Sequence, residues 1–61
     1  MLTVKQLAER WNVSEDYIYK LVRKEAIPFY RIEKLIRFDE AEIAAYEREN
    51  YKPVKEEINN G

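Results

Sequence analysis

Two neighbouring stretches decide the fold of this chain: residues 13–24, VSEDYIYKLVRK, and residues 27–38, IPFYRIEKLIRF. In the first stretch, Ile18 and Val22 have the four-residue spacing that places side chains on one face of an α-helix. In the second, Pro28 cannot continue a helix, and the residues after it are rich in the β-branched and aromatic types that favour strands. The chain is therefore expected to change from a helix to a β-hairpin near Pro28.

Capping patterns place the starts of three helices. Thr3 with Gln6, and Asp39 with Glu42, have the spacing of a capping box, in which the cap and the third helical residue satisfy each other's backbone N–H groups. Ser14 is suited to cap a helix that lies between these two. Because each cap precedes a segment with helical apolar periodicity, the sequence predicts three helices, the first over Val4–Trp11 and the last over Glu40–Glu49.

A very short connection separates the first two helices. Only Asn12 and Val13 lie between the first helix and the cap of the second, so the second helix must turn sharply away from the first, which is the geometry of a helix-turn-helix. The residues expected to be buried in the three helices are Leu7, Ala8 and Trp11; Ile18, Leu21 and Val22; and Ile43, Ala44, Ala45 and Tyr46.

The register of the hairpin depends on the length of its loop, which could be two residues, 33–34, or three, 33–35. The shorter loop would put Arg37 among the apolar residues of one face, whereas the longer loop separates apolar from basic residues. We therefore predict the three-residue loop, which places Arg31 directly opposite Arg37 on the outer face, where like charges repel. The face predicted to be apolar comprises Tyr30, Ile32, Ile36 and Phe38.

Length and composition exclude several function classes. The chain has 61 residues, no cysteine and no histidine, which excludes disulfide frameworks, Cys/His metal sites, thiol nucleophiles and catalytic triads. So small a domain has no room for a large active site, and neither enzyme activity nor a cofactor is expected. We expect one domain over residues 1–50, a flexible C-terminal tail over residues 51–61, and a cytoplasmic protein, since no apolar run approaches the ~20 residues of a membrane span.

The distribution of charge is more informative than its total. The formal net charge is -1, but residues 17–38 carry +4 and residues 39–61 carry -4. The basic residues fall on the second helix and the hairpin, the two elements that meet a major groove and the neighbouring backbone in a winged helix-turn-helix. The predicted DNA-contacting residues are Ser14, Asp16, Tyr17, Lys20, Arg23 and Lys24 on the second helix, and Arg31, Lys34 and Arg37 on the wing.

A set of residues between Leu2 and Tyr46 forms a pattern typical of one family of small domains. These residues are Leu2-Thr3-Val4, Leu7-Ala8, Val13-Ser14, residues 18–23, Ile27-Pro28, Arg31-Ile32, Ile36-Arg37-Phe38, Ile43 and Tyr46. In them the chain resembles the MerR-like, excisionase-type winged helix-turn-helix domain, over about three quarters of its length. The resemblance implies an α+β, mostly helical fold in the order helix, helix, two-stranded wing, helix. It also implies DNA binding, with the second helix in the major groove and the wing on the backbone or minor groove.

Several residues depart from the pattern of that family. Glycines are usual where Glu25 and Glu33 stand, and losing residues suited to positive φ predicts a wing tip that is longer or less regular than usual. A basic residue is common at the position of Leu35. Glu15 and Asp16 suit the N-terminus of a helix but face phosphates poorly, so binding by a single copy is expected to be weak and to depend on neighbouring copies.

The function expected from the resemblance is that of an excisionase, or recombination directionality factor. Several copies would bind and bend double-stranded DNA near an attachment site, so that a tyrosine or serine recombinase (an integrase) favours excision. A small transcriptional regulator of a mobile element is the alternative among DNA binders, and a protein-interaction module on the same fold is the alternative from another class. The protein would be nucleoid-associated when bound, and a face for a protein partner or head-to-tail self-association is predicted at Glu40, Glu47 and Glu49.

Overall fold

The computed structural model describes residues 1–52, which form three helices and a two-stranded antiparallel sheet. This architecture confirms the predicted order of helix, helix, two-stranded wing and helix. The tail predicted at residues 51–61 lies outside the described residues from position 53 onward. The elements are helix α1, Val4–Trp11; helix α2, Glu15–Arg23; strand β1, Tyr30–Ile32; strand β2, Leu35–Arg37; and helix α3, Glu40–Glu49.

The helix starts follow the predicted caps, with one difference. Thr3 and Gln6 form a complete capping box: the Thr3 hydroxyl accepts from the Gln6 backbone N–H at 3.0 Å, and the Gln6 side chain accepts from the Thr3 N–H at 2.9 Å. Ser14 caps α2 as predicted. At α3 the Asp39 side chain accepts from the Glu42 N–H at 3.0 Å, but no return bond from Glu42 is present, so this predicted box is only a simple cap.

Helices α1 and α2 are each followed by a residue of left-handed conformation. Asn12 has φ 58° and Glu25 has φ 54°. After each helix two backbone hydrogen bonds close the Schellman pattern; at α2 they run from Ala26 N to Leu21 O and from Glu25 N to Val22 O, both 2.9 Å. Glu25 thus occupies the position where glycine is usual, and the helix ends there despite the steric cost of a Cβ at positive φ.

The core is the small volume enclosed by the three helices and strand β2. Its fully buried residues include Leu7, Ile18 and Ile43 from the helices and Phe38 at the end of the wing. Burial is also confirmed for Ala8 and Val22, whereas the other residues predicted to be buried in α2 and α3 are only partly buried: Leu21, Ala44, Ala45 and Tyr46. Trp11 is only half-buried and packs against the edge of this core rather than inside it. The complete buried set is Val4, Leu7, Ala8, Ile18, Val22, Ile27, Ile36, Phe38 and Ile43.

The hairpin has the shorter loop, so the predicted three-residue loop was wrong. Its register pairs Ile32 with Leu35, Arg31 with Ile36, and Tyr30 with Arg37. Arg31 and Arg37 are therefore not opposite one another, and cross-strand neighbours place them on different faces of the sheet. The predicted apolar face does not exist either, because Ile36 is buried whereas Tyr30 and Ile32 lie on the other face and are exposed.

The arrangement of the strands explains why apolar segregation failed to predict the register. Leu2 pairs with Phe38 through two backbone hydrogen bonds of 2.7 and 2.9 Å, so the chain at Leu2 flanks one edge of the wing's second strand and β1 flanks the other. Strand β2 covers the core, but all three residues of β1 are exposed. A strand with no buried face does not select a register by its apolar pattern, and the turn sets it instead.

Glu33 makes the short turn possible. It is the first of the two loop residues and has φ 58°, a conformation that glycine adopts more readily than glutamate. The expectation of a longer or less regular wing tip is therefore wrong, since the chain keeps a tight turn and accepts a glutamate in the left-handed region.

Candidate nucleic-acid interface

Helix α2 presents one face to the core and the opposite face to solvent. At 100° per residue, Asp16, Lys20 and Arg23 project away from the buried pair Ile18 and Val22. All three are exposed, as are the two predicted contact residues at the side of this face, Tyr17 and Lys24. The structure thus brings these five predicted residues together on the solvent side of α2.

Ser14 and Asp16 have different local roles in this surface. The Ser14 side chain accepts a hydrogen bond from the Tyr17 backbone N–H at 3.1 Å, which leaves its own hydroxyl proton free to reach a phosphate oxygen. Asp16 stands four residues before Lys20, a spacing at which ion pairs form on helices. Within residues 1–52, however, no ion pair joins them.

The three predicted wing residues point in different directions. The Arg31 guanidinium carbon lies 5.8 Å from the centroid of the Phe29 ring, a cation–π contact. Arg37, on the other face, donates from Nη1 to the Ile36 carbonyl oxygen at 2.8 Å. Lys34 lies at the tip. The wing therefore does not form a single basic face. Of the three residues, Lys34 and Arg37 line one groove together with residues of α2.

An open groove of about 410 Å³ separates α2 from the wing. Two of its walls come from predicted elements: Glu15 and Tyr19 on α2, and Lys34 and Arg37 on the hairpin. Sequence reasoning missed this groove because it depends on the pairing of Leu2 with Phe38, which brings the start of α1 beside the hairpin. The lining residues are Thr3, Val4, Lys5, Glu15, Tyr19, Lys34, Leu35, Ile36 and Arg37.

The basic residues of α2 and the wing form no ion pair with any residue of the described range 1–52. In the part of the chain that the structure describes, one ion pair is formed, between Arg10 and Glu47. Lys20, Arg23 and Lys24 are exposed, so solvent ions and external ligands can reach their charges. A polyanion such as DNA can bind these cations, and the counter-ions that it releases on binding would favour the complex.

Glu47 is engaged inside the domain, which bears on the predicted partner face. Its two carboxylate oxygens accept from Arg10 at 2.8 and 2.9 Å, and Oε2 also accepts from the Trp11 indole N–H at 2.6 Å. The hydrogen bond from Arg10 lowers the pKa of Glu47 most, and the hydrogen bond from Trp11 lowers it further. The hydrogen bond to Glu47 raises the pKa of Arg10. Trp11 also stacks on Tyr46, with ring centroids 5.8 Å apart.

This cluster fastens α3 to α1, so Glu47 serves the fold first. The other two residues predicted for the partner face, Glu40 and Glu49, are exposed.

Among residues 1–52 no group of acidic side chains is arranged to hold a metal ion. The same residues include no helix with the length and apolar character needed to traverse a bilayer.

Residues 1–51 match the model of a protein family described as a helix-turn-helix domain. No curated protein and no solved structure matches the chain with statistical significance.

Proposed function

The chain belongs to the helix-turn-helix domain family, which is of the excisionase-like, MerR type, and from this premise we propose that it is an excisionase, or recombination directionality factor. Membership of the family implies sequence-specific DNA binding, and such domains are typically not enzymes. The proposal adds to this a biological role: binding and bending DNA near an attachment site so that an integrase favours excision.

One observation carries the DNA-binding part of the proposal. Lys20, Arg23 and Lys24 share the solvent side of α2, and none has an ion-pair partner within the described residues. In helix-turn-helix proteins the second helix enters the major groove, which is the position these three cations would occupy. They would contact phosphates or guanine edges there, while Lys34 and Arg37 of the wing would contact the adjacent backbone.

Cooperation between neighbouring copies is the second part of the proposal. Residues 17–38, which include most of α2 and the wing, carry a formal charge of +4, and residues 39–61, which include α3, carry -4. The basic surface of one copy could therefore contact the acidic surface of the next copy along the DNA, head to tail. Because Glu47 is held by Arg10 and Trp11, the acidic contacts of such an interface would come from Glu40 and Glu49. An integrase could use the same acidic face.

Two alternatives remain distinguishable by experiment. A small transcriptional regulator would use the same DNA-binding surface at a promoter. A protein-interaction module would have lost DNA affinity, and the acidic residues in and beside the basic region, Glu15, Asp16, Glu25 and Glu33, favour this reading. A gel shift on DNA flanking the gene, repeated at several salt concentrations, separates all three.

The excisionase proposal predicts a ladder of discrete bands that weakens steeply as salt rises. If the five cations proposed to contact DNA, Lys20, Arg23, Lys24, Lys34 and Arg37, each neutralise a phosphate, the slope of log affinity against log salt would approach about -4.5. A single band at a promoter would indicate the regulator. If no band forms even at low salt, both DNA-binding functions are contradicted.

A pair of charge-reversal variants provides the matched control. Arg23→Glu combined with Arg37→Glu should abolish the gel shift, because it replaces two attractive charges with two repulsive ones. Arg48→Glu changes an exposed arginine that belongs to α3 and not to α2 or the wing, and should leave the first shifted band unchanged. Thermal melting of all variants checks that the fold is retained.

A further inference from the structure

The groove between α2 and the wing contains a cation that the predicted DNA surface omits. Lys5 lies in the first turn of α1, is exposed, and lines the groove together with Lys34 and Arg37 of the hairpin. Glu15 supplies the single carboxylate among the lining residues. The groove therefore carries a formal excess of two positive charges.

The fold keeps Lys5 in this position. Leu2 and Phe38 exchange two backbone hydrogen bonds, at 2.7 and 2.9 Å, so the chain just before α1 is attached to the end of β2. The capping box at Thr3 then starts the helix at Val4. Lys5 is therefore two residues after the helix cap at Thr3 and three residues after the strand pairing at Leu2. Both contacts hold its backbone in a fixed position beside the wing.

Two exposed apolar side chains belong to the same groove. Tyr19 is 42% exposed and Leu35 is 52% exposed, and both line it. On α2, Glu15, Tyr19 and Arg23 follow one another at four-residue intervals, so they lie along one edge of the helix. This is the edge that faces the wing, and Arg23 extends it beyond the groove. A duplex that contacts both the outer side of α2 and the wing has to pass over this groove.

We propose that the groove receives one strand of the DNA backbone and that Lys5 contacts a phosphate there, between the major-groove contacts of α2 and the wing. The sugar of the same nucleotide rests against Leu35 and Tyr19, which accounts for their exposure. This inference rests on the proposed DNA binding and extends it to a third element, the start of α1.

A single substitution tests the phosphate contact. Lys5→Gln removes one contact, so the slope of log affinity against log salt should become less steep by about 0.9, and affinity at 0.1 M salt should fall about eightfold. Phosphates are common to all sequences, so the loss should be equal on the flanking DNA and on a duplex of scrambled sequence. The measurement is fluorescence anisotropy of labelled duplexes at four or more salt concentrations.

The matched control is Arg48→Gln, which also removes one exposed cation but on α3. It should change neither the affinity nor the slope. If Arg48→Gln weakens binding as much as Lys5→Gln does, net charge accounts for the effect and the proposal is overturned. A loss confined to one DNA sequence also overturns it, because it would indicate contact with a base.

A second variant tests the groove by a gain of affinity, which misfolding cannot produce. Leu35→Lys places a further cation at an exposed position of the groove and should tighten binding about eightfold at 0.1 M salt. If both Lys5→Gln and Leu35→Lys bind like the wild type while the double reversal at Arg23 and Arg37 abolishes binding, the groove is not used and only this inference fails. If the wild-type protein does not bind duplex DNA at low salt, the proposed function fails and this inference fails with it.

Discussion

The register of the wing can be tested by truncating two isoleucines that the alternative loop lengths treat differently. In the structure Ile36 is 8% exposed and Ile32 is 50% exposed. The three-residue loop would instead pair these two residues directly, on one buried face. Ile36→Ala and Ile32→Ala therefore have different expected costs in one register and equal costs in the other.

The expected costs follow from burial. Removing a buried isoleucine side chain costs about 2–5 kcal/mol, and the lower part of that range, about 3 kcal/mol, suits Ile36 at the edge of a small core. Ile32 already has half of its surface in water, so its truncation should cost about 1 kcal/mol or less. A difference of about 2 kcal/mol is large for a chain of 61 residues, whose whole stability is expected to be roughly 3–9 kcal/mol.

Urea unfolding at equilibrium measures both costs, with the fluorescence of Trp11 as the probe. Trp11 is the single tryptophan of the chain, and its stacking on Tyr46 is lost on unfolding. If Ile36→Ala unfolds the protein altogether, Ile36→Val and Ile32→Val give the same comparison with expected costs of about 1 kcal/mol and near zero. Equal costs for the two positions would refute the two-residue register.

Three further predictions concern the helix ends, the wing turn and the contact between α1 and α3. Glu47→Gln should lower the free energy of unfolding at neutral pH, since it replaces a carboxylate that accepts hydrogen bonds from Arg10 and Trp11 with a neutral amide. Because the pKa of Glu47 is lowered in the native state, the stability that its carboxylate contributes is complete above the usual glutamate pKa and is lost as pH falls through the native pKa. The urea midpoints of variant and wild type should therefore converge at acid pH. A difference between the midpoints that does not change with pH would contradict this. Glu25→Gly and Glu33→Gly should each raise stability by about 0.5–1 kcal/mol in thermal or urea melts, because they relieve a Cβ at positive φ, whereas Asn12→Gly should gain less, since asparagine tolerates that conformation. Ser14→Ala should lower stability by about 1 kcal/mol through loss of the α2 cap, and an unchanged midpoint would mean that water replaces the hydroxyl.

The helices could be predicted from the sequence because their determinants are local. Each cap and its apolar spacing lie within about eight residues, as at Thr3 and Ser14, and such short-range signals do not depend on the rest of the fold. The faces that Ile18 and Ile43 bury follow from the same periodicity. The solvent side of α2, with its basic residues, follows from knowing the buried side.

Most of the features that sequence reasoning missed depend on contacts between distant residues. The register was wrong because the pairing of Leu2 with Phe38, 36 positions apart, decides which strand lies against the core. Glu47 was predicted to face a partner because nothing near it in the sequence reveals Arg10 and Trp11, which approach from α1. The groove lined by Lys5 has the same origin.

The separation of charge in this small domain has a consequence for the coupling between folding and DNA binding. Within residues 1–52 one ion pair is formed, and it joins the acidic helix α3 to α1, while Lys20, Arg23 and Lys24 lie close together on α2 without ion-pair partners. Like charges held on one helix face repel each other, and this repulsion destabilises the native state at low salt. A bound duplex offsets this repulsion, and for a duplex with no affinity for the unfolded chain, DNA at a concentration of 100 Kd should stabilise the protein by about 2.7 kcal/mol. Added salt should act in two opposite ways: it stabilises the free protein by screening its basic face, and it weakens the stabilisation that DNA provides.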